Sequence, residues 1–285
     1  MNKVSVFGGT GFIGSNYLRR FPNESILIPR EQAAPESDNV LYFISTVHNY
    51  NIFDKPFLDI DTNLTKLVET LEQCKDKENL VFNFISSWFV YGKTEDLPAR
   101  ENSVCNPTGF YSITKRAAEQ MLISYCETFN IQYRILRLSN VYGNGDLKVS
   151  KQKNALQHLI NEVINERDIN LYDGGTNIRD FLHVEDVCDA VKLTLDKLPT
   201  NEIINIGSGE AQDLISIMSY VRNKTGSKSN FNFIDAPEFH KVVQIKNMYL
   251  EVSKLKNLGF KQKITIYEGV DRLIFAAKKN IAYSS

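Results

Sequence analysis

Val4-Ser5-Val6-Phe7-Gly8-Gly9-Thr10-Gly11-Phe12-Ile13-Gly14 decides how this chain is read. A short β-type run enters a glycine-rich turn, and beyond it Ile13, Tyr17, Leu18 and Phe21 share one face at helical spacing. The succession is strand, turn, helix. Gly8, Gly11 and Gly14 lie three apart at the junction, where the lack of side chains lets backbone amides and the positive helix end approach a pyrophosphate. Taken alone, such glycines also suit a turn that is merely tight. Because the turn opens the first strand-helix unit of the chain, Gly8, Thr10, Gly11, Phe12, Ile13 and Gly14 are expected to hold a dinucleotide.

Outward from this unit, apolar runs at Ile26 to Ile28, Val40 to Ser45, Leu80 to Ile85, Tyr133 to Leu138 and Ile203 to Ile206 read as strands. Helical spacing marks Thr62 to Cys74, Tyr111 to Phe129, Ala155 to Glu166 and Val184 to Leu198. Strands alternating with helices predict an α/β fold, a Rossmann-like doubly wound parallel sheet with a smaller C-terminal α/β substrate lobe. The dinucleotide-binding part is expected over residues 1–143, with 180–206 returning to it, and the substrate lobe over 144–285. The polar, proline-containing stretch Glu31 to Asn39 stands where a further helix and strand could have been, so the first half reads as trimmed.

The 33 basic and 34 acidic residues nearly cancel, which argues against nucleic acid or a membrane surface as the main partner. No apolar run nears the ~20 residues of a bilayer span. Cys74, Cys105, Cys126 and Cys188 lie far apart without metal-ligand spacing, so neither a metal site nor a disulfide framework is expected. With no room for a leader between Met1 and Lys3, the expected location is cytoplasmic.

Cofactor choice should rest on the end of the second strand, where a carboxylate suits a ribose hydroxyl and an arginine suits a 2′-phosphate. There the chain has Pro29-Arg30-Glu31. Arg30 points to NADP(H), while Glu31 keeps NAD(H) possible. For the chemistry, Tyr111 and Lys115 stand four apart on a helix and so one turn apart on one face. A lysine ammonium there is expected to favour phenolate and make the tyrosine a usable acid/base. Ser86-Ser87 ends the Leu80 to Ile85 run, and the carboxyl end of a parallel strand faces the ligand crevice. Of the two, Ser87 is taken as the functional hydroxyl.

These segments together with Leu136-Arg137-Leu138-Ser139-Asn140-Val141-Tyr142-Gly143, Arg179-Asp180-Phe181-Leu182-His183-Val184-Glu185-Asp186 and Asn205-Ile206-Gly207-Ser208-Gly209 closely resemble the extended short-chain dehydrogenase/reductase family. The resemblance covers nearly the whole chain. It implies a nicotinamide-dependent enzyme acting on a nucleotide-diphosphate sugar, with Ser87, Tyr111 and Lys115 catalytic. Lys115 would also hold the nicotinamide ribose, and Ser87, Asn140 and Arg179 would bind substrate. Lys241 would stand in for a second diphosphate-binding arginine that this chain lacks. His183 would pack within its motif. Trp88 and Phe89 occupy the positions where the family's dehydratases carry Asp-Glu, which argues against a 4,6-dehydratase.

The implied activity is NADPH-dependent reduction of a 4-keto-deoxy sugar, with a 4-epimerase that retains NAD as the alternative. A non-catalytic cofactor sensor of the same fold is the third reading, disfavoured by the intact Ser87, Tyr111 and Lys115. The apolar stripes on the 62–74 and 111–129 helices predict a homodimer, since family members pair these helices across a two-fold axis.

Overall fold

The computed structural model describes residues 3–94, 96–146, 150 and 153–282, with side chains described as far as residue 279. Met1 and Asn2, on which the expectation about a leader rests, lie outside the described residues.

Strand β1 (Val4–Phe7) is buried along its whole length, as a near-continuous apolar strand covered on both faces should be. On one side it pairs with β2 (Ser25–Leu27), on the other with β3 (Asn39–Tyr42), both parallel. The sheet continues through β4 (Val81–Ser87) and β5 (Gln132–Leu138) and ends on the strand Glu202–Ile206, all parallel. The chain therefore leaves the sheet after β5 and returns to its edge some sixty residues later.

Alternation along the strands separates two cores. Val4 and Val6 of β1, Ile85, Leu136 and Leu138 pack with Tyr17 of helix Phe12–Arg20 and Val187 and Val191 of helix Val184–Lys197. Phe7, Tyr42, Phe82, Phe84 and Ile135 face the opposite way, onto Leu67, Leu71, Ala118 and Leu122. Helices on both faces of a parallel sheet make the fold doubly wound. A third core joins helices Ala155–Ile164, Leu214–Thr225 and Ile266–Ala282 around the parallel pair Ile169–Tyr172 and Phe231–Ile234.

Two differences from the sequence reading have local causes. The 62–74 helix begins earlier: Pro56 sits at the first position of a helical run that continues through a π turn at Asp61–Thr65 into Lys66–Glu72. Proline is favoured there because the missing N–H is unpaired at a helix start anyway. Helix Leu214–Thr225 stands where the sequence reading places no element: Asp213 caps its start by accepting from the Ser216 amide at 2.7 Å and Gly226 ends it at φ 71°.

Among the described residues no strand lies outside β2, whereas the common doubly wound order places a third strand there. The segment 28–38 folds back instead. Ser5 Oγ on β1 meets Ser37 Oγ at 2.9 Å and accepts from the Glu36 amide at 2.9 Å, Pro35 is buried, and Lys77 Nζ donates to the Pro35 carbonyl at 2.9 Å.

Candidate active site

The glycine turn is as tight as its composition suggests. Gly8 has φ 73°, and a β-carbon on it would stand 2.9 Å from the Ile44 amide nitrogen. On Gly14 it would stand 2.5 Å from the Gly8 carbonyl oxygen and 2.8 Å from Gly9 Cα. Gly11 closes the turn with its amide 3.0 Å from the Gly8 carbonyl and heads helix Phe12–Arg20 without any side-chain cap. The result is a concave backbone at a helix N-terminus whose first amides no side chain fills, and it fits a pyrophosphate.

At the carboxyl end of β4 the two serines diverge, because successive strand residues face opposite ways. Ser86 is buried and donates to Glu119 Oε1 at 2.6 Å. Ser87 is half-buried, and its Oγ accepts from the Phe89 amide at 3.3 Å, capping the short 3₁₀ turn Trp88–Tyr91. Helix Phe110–Phe129 brings buried Tyr111 to the same place, where the Ser87 and Ser45 hydroxyls act on its phenol. Lys115 follows one turn on, 2% exposed, with its ammonium nitrogen 4.2 Å from the centre of the Phe84 ring.

The expected electrostatics of this pair are corrected by burial. Desolvation raises the Tyr111 phenol, and hydrogen bonds to Ser87 and Ser45 offset part of that rise. Lysine does not figure among the groups that hold it down. Burial also lowers Lys115 to about 7, against the upward pull of Glu119. Four-residue spacing puts the two groups on one face, but in this dry setting each moves toward its neutral form.

Polar networks that the sequence did not reveal hold the pair in place. Asn63, in the π turn, donates to Thr46 Oγ1 at 2.8 Å and Thr114 Oγ1 at 3.0 Å, and accepts from the Thr46 amide at 2.9 Å and Ser45 Oγ at 3.0 Å. One amide side chain thus ties the Ser45 loop to the turn of helix that carries Lys115. A π turn places a side chain differently from regular helical spacing, and such turns are common at functional sites. One turn beyond Lys115, buried Glu119 receives both arms of Arg137, at 3.0 and 2.8 Å, and Arg116 at 2.7 Å. Burial would raise this carboxyl, but Arg137, Ser86 and Arg116 outweigh it and hold the group below its ordinary value. The Glu119 signal was available in the sequence, four residues after Lys115. The Asn63 signal was not.

Arg179 ends the short strand Ile178–Arg179 and donates to the carbonyls of Ile178 at 2.7 Å and Lys246 at 2.8 Å. Its guanidinium carbon lies 5.7 Å from the centre of the Trp88 ring. The two aspartates of its own motif are engaged elsewhere: Asp180 accepts from Ser208, Gly209 and Leu250, and Asp186 from Lys263 and Ile264. No carboxylate pairs with Arg179 among the described residues, and burial lowers it to about 10. A half-buried cation without a counter-ion is a place for an anion.

Asn140 Nδ2 donates to the Asp180 carbonyl at 2.9 Å, which ties the end of β5 to the Arg179 motif. His183 is buried, stacks edge-on against Tyr142, accepts from the Glu185 amide, and is pushed down to about 4 by burial. Lys241 is not drawn into this group: it lies exposed on helix Glu238–Val243, with Nζ 2.6 Å from Glu238 Oε1. Arg30 is exposed in the turn after β2, which the Gln32 amide closes onto the Pro29 carbonyl at 3.1 Å.

The same fold recurs in known proteins. The chain is 28% identical over 309 residues to a putative UDP-glucose 4-epimerase of Methanocaldococcus jannaschii, covering 97% of this chain and 99% of the relative. Its fold matches the UDP-glucose 4-epimerase of Thermotoga maritima solved with UDP-glucose, at a TM-score of 0.87, 21% identity and coverage of 98% and 99% of the two chains. It also matches RMD of Pseudomonas aeruginosa complexed with NADPH, at a TM-score of 0.84, 20% identity and coverage of 99% and 100%. The pattern of the NAD dependent epimerase/dehydratase family matches residues 31–207, well over half of the chain, and the protein belongs to that family.

Proposed function

We propose that this protein is an NADPH-dependent reductase of a 4-keto-deoxy sugar carried on a nucleoside diphosphate. The observation behind the reduction is the shortened adenosine side. With no strand outside β2 among the described residues and Arg30 exposed after it, a dinucleotide would meet an open edge suited to exchange between turnovers. A reductase needs that exchange. An epimerase, which restores its own cofactor, does not.

In this reading Gly8, Thr10, Gly11, Phe12, Ile13 and Gly14 hold the pyrophosphate, Arg30 the 2′-phosphate, and Tyr111 with Lys115 the nicotinamide ribose. The bound cofactor supplies hydride to the sugar C4. Ser87 donates a hydrogen bond to the C4 oxygen, and Tyr111 gives its phenolic proton to that oxygen as negative charge develops there. Lys115, in its ammonium form, stabilises the phenolate left behind, which regains its proton from solvent. Arg179 binds the diphosphate, Asn140 lies near the sugar-phosphate junction, and the lobe within 144–285, apart from the returning segment 180–206, supplies the rest of the substrate pocket. Lys241 is left as a reserve contact for the nucleotide end.

A second reading, 4-epimerisation with retained NAD, is favoured by the M. jannaschii relative, whose full length this chain matches. Cofactor content separates the two. The reductase should purify largely without nucleotide and oxidise NADPH only when given a 4-keto nucleotide sugar. Stoichiometric NAD released on denaturation, with interconversion of UDP-glucose and UDP-galactose and no NADPH consumed, would replace the first reading by the second.

We place the enzyme in the cytoplasm, in keeping with four unpaired cysteines, and assign it a homodimeric state. Ile60, Ile113, Met121 and Phe129 are exposed on the paired helices, and a shallow apolar groove lined by Val68, Leu71, Met121, Tyr125 and Phe129 runs between them. Light scattering should give twice the chain mass of 32.5 kDa, and a single mass removes the dimer.

A further inference from the structure

Trp88 and Phe89, in the turn after Ser87, stack face to face, with centroids 4.0 Å apart and planes within 22°. Neither ring can move a proton, yet both sit at the centre of the site. Phe89 meets the Tyr111 ring edge-on at 5.8 Å, and Trp88 lies 5.7 Å from the Arg179 guanidinium. The pair therefore bridges the proton donor and the anion ligand. Trp88 is 4% exposed and belongs to the sheet core, whereas Phe89 is partly exposed, backed by Trp88 and held by Tyr111.

A nucleotide sugar whose diphosphate reaches Arg179 and whose C4 oxygen reaches Tyr111 must lay its ring across the space between them. Phe89, partly exposed and in contact with both Trp88 and Tyr111, is the aromatic ring placed to border that space. A pyranose ring carries C–H bonds with partial positive character on its faces, and an aromatic face carries negative potential, so the two attract when stacked. We infer that Phe89, with Trp88 as its rigid backing, is a stacking platform for the hexose ring of the substrate and selects sugars that present a contiguous apolar face, as 6-deoxyhexoses do. This rests on the nucleotide-sugar reading above. It adds a specificity-determining residue at a position where acid/base chemistry has been given up for packing.

Trp88 is the only tryptophan of the 285 residues, so its emission reports directly on this site. The test titrates the intact protein with UDP, dTDP, GDP and CDP, and with a 6-deoxyhexose conjugate of each, following that emission. For a base that binds, the conjugate should bind at least fivefold more tightly than the bare diphosphate. Phe89→Ala should bring that ratio close to one while leaving the affinity for the diphosphate within twofold, and Phe89→Tyr, which keeps the ring, should preserve it. Thermal melts of both variants check folding. A wild-type ratio near one, or a ratio unchanged by Phe89→Ala, overturns the platform while the nucleotide-sugar reading stands. Failure of all eight compounds to bind removes that reading and the platform with it.

Discussion

The proposed reaction centre and the proposed adenosine edge of this molecule are built on opposite principles. Tyr111, Lys115 and Ser87 sit between a strand end and a twenty-residue helix, braced by Asn63 on one side and the Glu119–Arg137 pair on the other. The adenosine edge has a three-residue outer strand, an eleven-residue loop and an exposed arginine. Groups that transfer protons must be held to a fraction of an ångström, which buried networks achieve. Groups that choose a ligand need only charge and reach, and loops supply both. The contrast implies that substitutions in the centre should act on rate and folding, and substitutions at the edge on affinity alone.

Tyr111→Phe gives the largest expected effect. It removes the transferable proton and keeps the ring that Phe89 packs against. Turnover should fall by about two to four orders of magnitude, the usual contribution of a positioned acid. Cofactor affinity, measured by fluorescence titration, should change by less than about threefold, since the tyrosine's share in holding the ribose is small beside that of the charged contacts. Near-normal turnover would take Tyr111 out of the mechanism.

Lys115→Met sharpens the comparison through stability. The folded protein holds this lysine at about 7, below its ordinary value of 10.5. Between those values the unfolded chain binds more protons than the folded one, so stability rises with pH across about 7 to 10.5, and the cost of burying the group is complete below 7. The variant should therefore melt several degrees higher at pH 7 without added cofactor, by on the order of a few kcal/mol, and lose the alkaline slope. Cofactor affinity and turnover should both drop. A melting temperature equal to or below wild type would show that the lysine is not held at the expense of folding.

The centre was legible in part because its signals are local. A tyrosine four before a lysine, a serine at a strand end and three glycines at a turn need no knowledge of distant residues. The braces were not legible. Asn63 reaches Thr114 across 51 residues, and Arg137 reaches Glu119 only because β5 runs beside the helix that precedes it. Spacing gave the common face of Tyr111 and Lys115 but not the dryness around them, and that dryness reverses the simple expectation for the phenol. Lys241 shows another limit: the resemblance offers it as a stand-in for a diphosphate ligand but says nothing of the exposed helix Glu238–Val243 that sets it 2.6 Å from Glu238.

Arg30→Ala tests the edge and carries the smallest expected effect. The side chain is exposed, and ion pairs in such settings contribute little because water screens them. A phosphate dianion is a better partner than a carboxylate for a planar guanidinium, and loss of a charge-assisted pair with it should weaken NADPH by roughly tenfold, about 1.4 kcal/mol. NADH lacks the 2′-phosphate and should shift by less than about twofold. Turnover at saturating NADPH should stay at the wild-type level, because Arg30 lies at the far end of the glycine turn from Tyr111. Competition titrations with both cofactors measure the difference, and raising the salt concentration should narrow it by screening the lost contact. Equal losses for the two cofactors would end the preference for NADPH, and a fall in saturated turnover would break the separation between an edge that binds and a centre that reacts.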